Sequence, residues 1–218
     1  MRHPKPKDSV HRRVVFSSGF STGTRRMSED APRARGKSLK DNGAIETIKI
    51  SNVSTAKRVG AAMAHLAREG KGVDVKAGSA KALSTALKAV AVARKFLRDN
   101  EGDLGVSARI ERGDDKSTTV LTLVPAAGKV ENASDNPYTV SSKTDPSSLS
   151  GALAARVRES KTALARCVGV APAARAATAL ALATSHVEGG NVVGYPFFQD
   201  EGEGEERVTV LNLLVKAA

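Results

Sequence analysis

The order of apolar and polar residues occurs twice along this chain. Apolar residues alternate with polar ones in short segments typical of strands, and recur at three- and four-residue spacing in longer segments typical of helices. The first set of predicted elements is strand, helix, strand, helix, strand, strand, at residues 47–51, 55–66, 73–77, 80–97, 106–110 and 120–124. The second set has the same order, at residues 138–141, 146–157, 164–168, 172–185, 192–198 and 208–215. The chain is therefore predicted to hold two β-α-β-α-β-β units.

Local signals agree between the two units. Asp145 precedes Pro146, which is the pairing of an acidic N-cap with proline at the first helical position. Gly60 in the first helix corresponds to Gly151 in the third, and each second strand is followed by a glycine. These matches indicate a duplication.

The chain divides into four predicted segments: a basic arm over 1–40, a first repeat over 44–126, a linker over 127–137 and a second repeat over 138–218. A unit of this size is close to the lower limit for independent stability. We therefore expect the two repeats to pack against each other as an internal pseudo-dimer, through their second helices and closing strands.

Charge is distributed unevenly along the chain, and this bears on the kind of partner that it binds. The chain has 34 Lys and Arg against 23 Asp and Glu, a net charge of +11. Residues 1–40 carry a net +8, residues 41–135 a net +3 and residues 136–218 a net charge of zero. A basic chain favours polyanionic partners. Aromatic residues make up only 3% of the chain and Trp is absent, so recognition by base stacking on an aromatic sheet is not expected.

The basic arm is rich in Arg and Ser and poor in acids, and it has no apolar segment of the kind found in secretory signals. This composition predicts a mitochondrial transit peptide, with plastid or cytoplasmic location as alternatives. A plain disordered basic arm is equally compatible with the composition.

Other classes of function find little support in the sequence. A single cysteine, Cys167, excludes an internal disulfide and is expected to be a buried apolar group, and no histidine pair has metal-ligand spacing. His65 and His186 lack a nucleophile or carboxylate at a spacing that would force contact. No apolar run is long enough to cross a membrane. We expect no enzyme activity, no metal, no cofactor and no membrane contact.

Particular segments resemble a known family. Residues 73–90 read VDVKAGSAKALSTALKAV, residues 140–154 read VSSKTDPSSLSGALA, and YPFF and GEER occur at 195–198 and 204–207. This ordered set resembles the Alba superfamily of small nucleic-acid-binding proteins, and more closely its bacterial branch, the stage V sporulation protein S family. The resemblance covers residues 47–215, although the first repeat lacks the last two segments.

The resemblance implies an α+β fold of two tandem Alba-like units, with nucleic acid held by two βα loops and a β-hairpin. It implies a nucleic-acid-binding protein, RNA favoured over DNA, that recognises backbone and shape. In the first repeat, Arg109, Arg112 and Lys116 of the hairpin are expected to reach a minor groove. The other candidate contacts are loop and helix residues: Lys57, Arg58, Lys76, Gly78, Ser79, Lys81, Lys88 and, in the second repeat, Lys143.

The second repeat is expected to bind phosphate weakly, because five acids lie within residues 200–206. Tyr195, Phe197 and Phe198 are expected to pack in the core or between the repeats rather than against bases. The alternative function is a structural subunit of a large ribonucleoprotein, such as an organellar ribosome, with the second repeat facing a protein partner. An enzyme is a distant third.

Overall fold

The computed structural model describes residues 45–99, 102–113, 117–133, 136–190 and 192–218. The first repeat contains β1 (Glu46–Ile50), α1 (Ala56–Arg68), β2 (Val73–Ala77), α2 (Ala80–Arg98), β3 (Asp103–Arg112) and β4 (Ser117–Ala126). The second contains β5 (Tyr138–Val140), α3 (Pro146–Arg158), β6 (Ala163–Cys167), α4 (Val170–Ala183), β7 (Val192–Glu201) and β8 (Val208–Ala217). The expectations for the basic arm and for Lys116 concern residues outside these ranges.

All eight strands form one sheet, in the order β1-β2-β4-β3-β7-β8-β6-β5. The two repeats meet where β3 runs antiparallel to β7, with Val106 opposite Gly194. The helices add to this junction, because α2 contacts both α4 and β7, and α4 contacts β3. The predicted pseudo-dimer and its α+β class are confirmed.

The main core lies between the four helices and one face of the sheet. Side chains on that face, such as Val75, Val106 and Leu213, are fully buried together with Leu87 and Leu180 of the helices. Alternate strand residues point to the other face, which we call the open face. There a smaller apolar cluster around Tyr195 and Leu214 packs against Val130 of the linker.

Two glycines allow the strands to approach closely at the junction. A Cβ atom at Gly105 would lie 2.3 Å from Val193 Cγ1 and 2.8 Å from the Tyr195 ring. A Cβ atom at Gly194 would lie 2.8 Å from Leu180 Cδ2. Tyr195 is only 5% exposed and packs over Gly105, which agrees with the expectation of an inter-repeat contact.

A buried ion pair joins the linker to both repeats. Arg94 of α2 donates to both carboxylate oxygens of Asp103, at 2.7 and 2.8 Å, and to the backbone oxygen of Pro196 in β7 at 2.9 Å. Asp103 also accepts a hydrogen bond from the Val130 N–H at 2.9 Å, and Asn132 accepts one from Arg94 at 3.1 Å. Because both ionic side chains are almost completely buried, removing either one would leave an uncompensated buried charge at the junction.

Several predicted boundaries were displaced. The second strand of the second repeat runs one residue earlier than predicted, and α4 begins two residues earlier, behind Gly169 with a φ of 99°. A short 3-10 turn follows α4 at Thr184–His186, where the sequence pattern predicts that the helix continues. Ala-rich composition signals a helix without marking its ends.

The glycine matches between the repeats are displaced by one residue as well. Counted from the first residues of α1 and α3, Gly60 corresponds to the buried Ser150, and Gly151 lies one position further along on an exposed side. Counted in the same way from β2 and β6, Gly169 occupies the position of Ser79 and not that of Gly78. Matching by residue type therefore gave the right elements with a shifted register.

Candidate nucleic-acid interface

Strand directions bring three parts of the first repeat to one edge of the sheet. Parallel β1 and β2 end at Ile50 and Ala77, so the loops that enter α1 and α2 leave from the same side. Thr119 near the start of β4 pairs with both Ala77 and Ile110, which places the end of the β3–β4 hairpin on that side. We call these two loops and the hairpin end the first-repeat edge. The helix starts that follow the equivalent loops of the second repeat lie beside this edge, because Gly78 and Ser79 line one cleft of about 420 Å³ together with Pro146, Ala171 and Arg175.

Ser79 connects the two loops of the first-repeat edge. Its hydroxyl accepts a hydrogen bond from the Ala82 N–H at 3.2 Å as the N-cap of α2, and donates one to Asn52 Oδ1 at 2.7 Å. The hydroxyl is therefore already engaged. An anion at this point would depend on the free N–H groups in the first turn of α2 and on nearby cations.

Three such cations are Lys57 and Arg58 in the first turn of α1 and Lys81 in the first turn of α2. All three side chains are exposed, and none pairs with a carboxylate among the described residues. Gly78, which precedes the cap, is exposed as well. The fold thus places these sequence-predicted residues on one edge with their charges free.

Lys76 and Arg109 are arranged differently, because both lie on the open face and are paired with acids. Lys76 Nζ lies 2.7 Å from Glu111 Oε2, and Arg109 contacts Asp74 at 2.6 Å and Glu111 at 3.0 Å. Burial opposes ionisation of Asp74, but hydrogen bonds from Arg109 and Thr122 outweigh it and lower its pKa. The hydrogen bond from Lys76 likewise lowers the pKa of Glu111. Either cation would have to leave a carboxylate before it could hold a phosphate.

The remaining sequence-predicted residues are dispersed. Arg112 is exposed near the end of the hairpin, and Lys88 lies half-buried on α2, about two turns along the helix from Lys81. Lys143 is exposed in the loop before α3, and Pro146 at the end of that loop lines the same cleft as Gly78 and Ser79.

The sequence reasoning missed a property of the helical layer. α1 and α2 contain Lys and Arg but no Asp or Glu, so the helix layer of the first repeat is uniformly basic. Lys95, which was not among the candidates, follows Lys81 and Lys88 at intervals of seven residues. The signal was present in the sequence as the absence of acids from residues 56–68 and 80–98.

The equivalent edge of the second repeat has a different chemistry. Val168 in the loop before α4 and Val170 at the first position of α4 are 46% and 45% exposed, and no side chain caps the helix. Arg166 pairs with Glu201, and Asp200 pairs with Arg207. Arg175 donates to the backbone oxygen of Thr144 at 2.9 Å and so supports the loop before α3.

Cys167, His65 and His186 lie on different elements of the fold. Cys167 is buried, and burial raises the pKa of its thiol to about 12. His65 is exposed beside Glu69, and His186 is exposed after α4. Among the described residues, no three His, Cys, Asp or Glu side chains form a group that could hold a metal ion. Within the same ranges, no helix is both long and apolar enough to span a bilayer.

Comparison with known proteins identifies the repeated unit. The chain matched none of the curated proteins with which it was compared. The sequence model of the Stage V sporulation protein S family matches it twice, over residues 46–126 and 137–218. These two matches coincide with the two structural repeats, and an Alba-like fold of this kind is compatible with nucleic-acid binding. The chain therefore belongs to the Stage V sporulation protein S family, as a tandem form with two copies of the family's unit.

Proposed function

We propose that this protein binds nucleic acid through its first repeat, RNA in preference to DNA, by contacts to the backbone. The observation that carries the proposal is the set of exposed cations Lys57, Arg58 and Lys81 at the first-repeat edge, which pair with no carboxylate in the described part of the chain. Lys81 lies at the N-terminus of α2, where free N–H groups and the helix dipole favour a negative charge, and Lys57 and Arg58 lie in the first turn of α1 at the same edge. Phosphates that meet these cations would release counterions, which supplies most of the binding free energy in backbone recognition.

The hairpin argues for RNA rather than duplex DNA. A hairpin that reads a DNA minor groove needs cations free to enter it. Arg109 is held by Asp74 and Glu111, and the sequence between β3 and β4 adds the acids Asp114 and Asp115. Insertion of this hairpin into a groove is therefore disfavoured, and the binding surface is left with the loops and helices.

The test is the salt dependence of binding by the full chain. Fluorescence anisotropy with labelled RNA and DNA of equal length, between about 50 and 200 mM salt, should give a log affinity that falls linearly with log salt. The expected slope is about 0.7 to 0.9 for each phosphate contacted, with tighter binding of RNA. If neither RNA nor DNA binds at the lowest salt concentration, the proposal is wrong.

A second candidate function is a structural role inside a large ribonucleoprotein. It is favoured by the exposed Val168, Val170 and Val208 of the second repeat, next to the acidic end of the β7–β8 hairpin. Such a mixed apolar and acidic surface suits a basic protein partner. Sedimentation of the native protein with ribosome-sized particles at high salt would favour this role, whereas sedimentation as a free monomer would favour a free binder.

We also propose that residues 1–40 direct the protein to mitochondria. The support is compositional: eleven Lys and Arg against three acids, with many serines. Fusion of these residues to a fluorescent protein should deliver it to mitochondria. Delivery to plastids, or retention in the cytoplasm, would contradict the proposal.

A further inference from the structure

Helix α2 presents a row of lysines toward solvent. Lys81, Lys88 and Lys95 recur every seven residues, so they follow one side of the helix over about 21 Å. Lys81 and Lys95 are exposed and Lys88 is half-buried, and none of them pairs with an acid among the described residues. We call these three residues the α2 lysine row.

The row leads to a cleft at the junction of the repeats. The cleft has a volume of about 420 Å³ and lies between the last turns of α2 and strand β7. Lys95 and Arg98 line its α2 side, and Phe197 and Phe198 line its β7 side. Phe198 is 42% exposed, which leaves part of its ring open to a ligand.

Polar groups in the cleft fit a nucleobase better than a second phosphate. Asn132 accepts a hydrogen bond from Arg94 through Oδ1, which leaves its amide N–H groups available to a base edge. Asp99 and Asp200 also line the cleft and would repel a phosphate placed deep inside it. Asp200 is already paired with Arg207 and Thr209.

We propose that a single-stranded nucleic acid follows the α2 lysine row and places one unstacked base on Phe198 in this cleft. This inference rests on the proposed function and adds to it the class of ligand, a single strand. Its backbone would be held by Lys81, Lys88 and Lys95. The unstacked base would stack on Phe198, a contact that a base paired within a duplex cannot make. The second repeat would then contribute one aromatic contact to a ligand held by the first.

A tryptophan reporter tests the position of the base directly, because the chain has no tryptophan of its own. In the Phe198→Trp variant of the full chain, a saturating single-stranded oligonucleotide should quench the indole fluorescence. Phe96→Trp is the matched control, since Phe96 is 37% exposed on α2 and does not line the cleft. Its fluorescence should change little.

Affinity measurements give a second, independent readout. Phe198→Leu should weaken single-strand binding by about 5- to 150-fold, the range found for loss of one stacked base, and leave duplex binding nearly unchanged. Lys88→Gln with Lys95→Gln should lower the single-strand salt slope by about 0.7 for each lysine. The thermal midpoints of all variants should stay close to that of the wild type, since these side chains are exposed or half-buried.

The outcomes separate this inference from the proposed function. If the wild type binds nucleic acid while neither the fluorescence of the Phe198→Trp variant nor the affinity of the Phe198→Leu variant changes, the cleft inference is wrong and the proposed function stands. If the wild type binds neither single strand nor duplex, both are wrong.

Discussion

The two repeats have one backbone plan and different surfaces. All four helices lack Asp and Glu, but α1 and α2 together carry eight Lys and Arg, whereas α3 and α4 carry three. The side chain of Ser79 caps α2, whereas α4 follows Gly169, which lies between the exposed Val168 and Val170 and offers no capping side chain. Where an identical pair would present the same edge twice, this duplicated chain presents one basic edge and one apolar, acidic edge.

The difference extends to the buried junction. The ion pair between Arg94 and Asp103 belongs to the first repeat and reaches the Pro196 backbone in the second. Counted from the starts of α2 and α4, the position of Arg94 is taken in the second repeat by Thr184, which donates to the Ala108 backbone oxygen of β3 at 3.2 Å. Covalent linkage of two units allows such one-sided contacts, because each copy meets only the other. We infer that duplication permitted the first repeat to keep cations for a ligand while the second specialised in packing.

The largest expected effect is on stability, from Asp103→Asn. This change leaves the buried Arg94 guanidinium without its carboxylate partner, and loss of one member of a buried pair costs about 3 to 5 kcal/mol. The second repeat offers the matched control, Glu201→Gln, which breaks a solvent-screened pair with Arg166 and should cost much less. Urea denaturation of both variants measures the difference, and equal losses would show that the junction does not depend on the buried pair.

The same carboxylate predicts a pH dependence. Burial alone would raise the pKa of Asp103, but hydrogen bonds from Arg94, Val130 N–H and Leu104 N–H outweigh burial and lower it. A carboxyl with a lowered pKa stabilises the folded state above its unfolded pKa of about 3.9, and this contribution is lost as the pH falls through the folded pKa. The unfolding free energy should therefore fall more steeply below about pH 4 in the wild type than in Asp103→Asn. Parallel curves would contradict this assignment.

An intermediate effect is expected at two glycines, one in the first helix of each repeat. A Cβ atom at Gly60 would lie 2.6 Å from the Ala89 backbone oxygen, whereas a Cβ atom at Gly151 would meet nothing within 4 Å. Gly60→Ala should thus destabilise the protein by about 1 to 3 kcal/mol through overpacking of α1 on α2. Gly151→Ala should stabilise it by about 0.5 to 1 kcal/mol, because alanine is the better helix former. Thermal unfolding of the two variants measures the two changes in stability. Changes of the same sign would contradict the claim that Gly60 is tightly packed and Gly151 is not.

A smaller effect is expected from the cap of α2. Ser79→Ala removes the acceptor for the Ala82 N–H and the donor to Asn52, and loss of an N-cap typically costs about 1 kcal/mol. Val170→Ala changes an exposed residue at the start of α4, where no cap bond exists, and should cost less than about 0.5 kcal/mol. Chemical denaturation of the two variants provides the comparison. Equal costs would mean that Ser79 does not contribute as a cap.

Much of the architecture could be predicted from the sequence, because periodicity and turn signals are local. The tandem order followed from the repeated pattern of strands and helices. The shared junction followed from apolar residues that one unit alone could not bury. The pairing of Lys76 with Glu111 and of Arg109 with Asp74 could not be predicted, since each pair is separated by 35 residues and depends on strand register. Nor could the close approach at Gly105, which depends on Tyr195 from the other repeat.

The candidate site was predicted in part for the same reason. Lys57, Arg58 and Lys81 were identified because loops that follow parallel strands share an edge whatever the register. Lys95 and the Phe198 cleft were not identified, because they depend on which side of α2 faces solvent and on how β7 packs beside it. Whether any of these residues contacts nucleic acid stays a prediction.

The central claim is that the first repeat holds the polyanion, and one comparison of salt slopes tests it most directly. Lys57→Gln with Lys81→Gln removes two exposed charges from the first repeat, and Lys143→Gln with Arg158→Gln removes two from the second. Both double variants have the same net charge, so a general charge effect cancels. We predict that the first lowers the slope of log RNA affinity against log salt by about 1.4 and the second leaves it unchanged. Equal reductions in both variants would contradict the division of labour between the repeats.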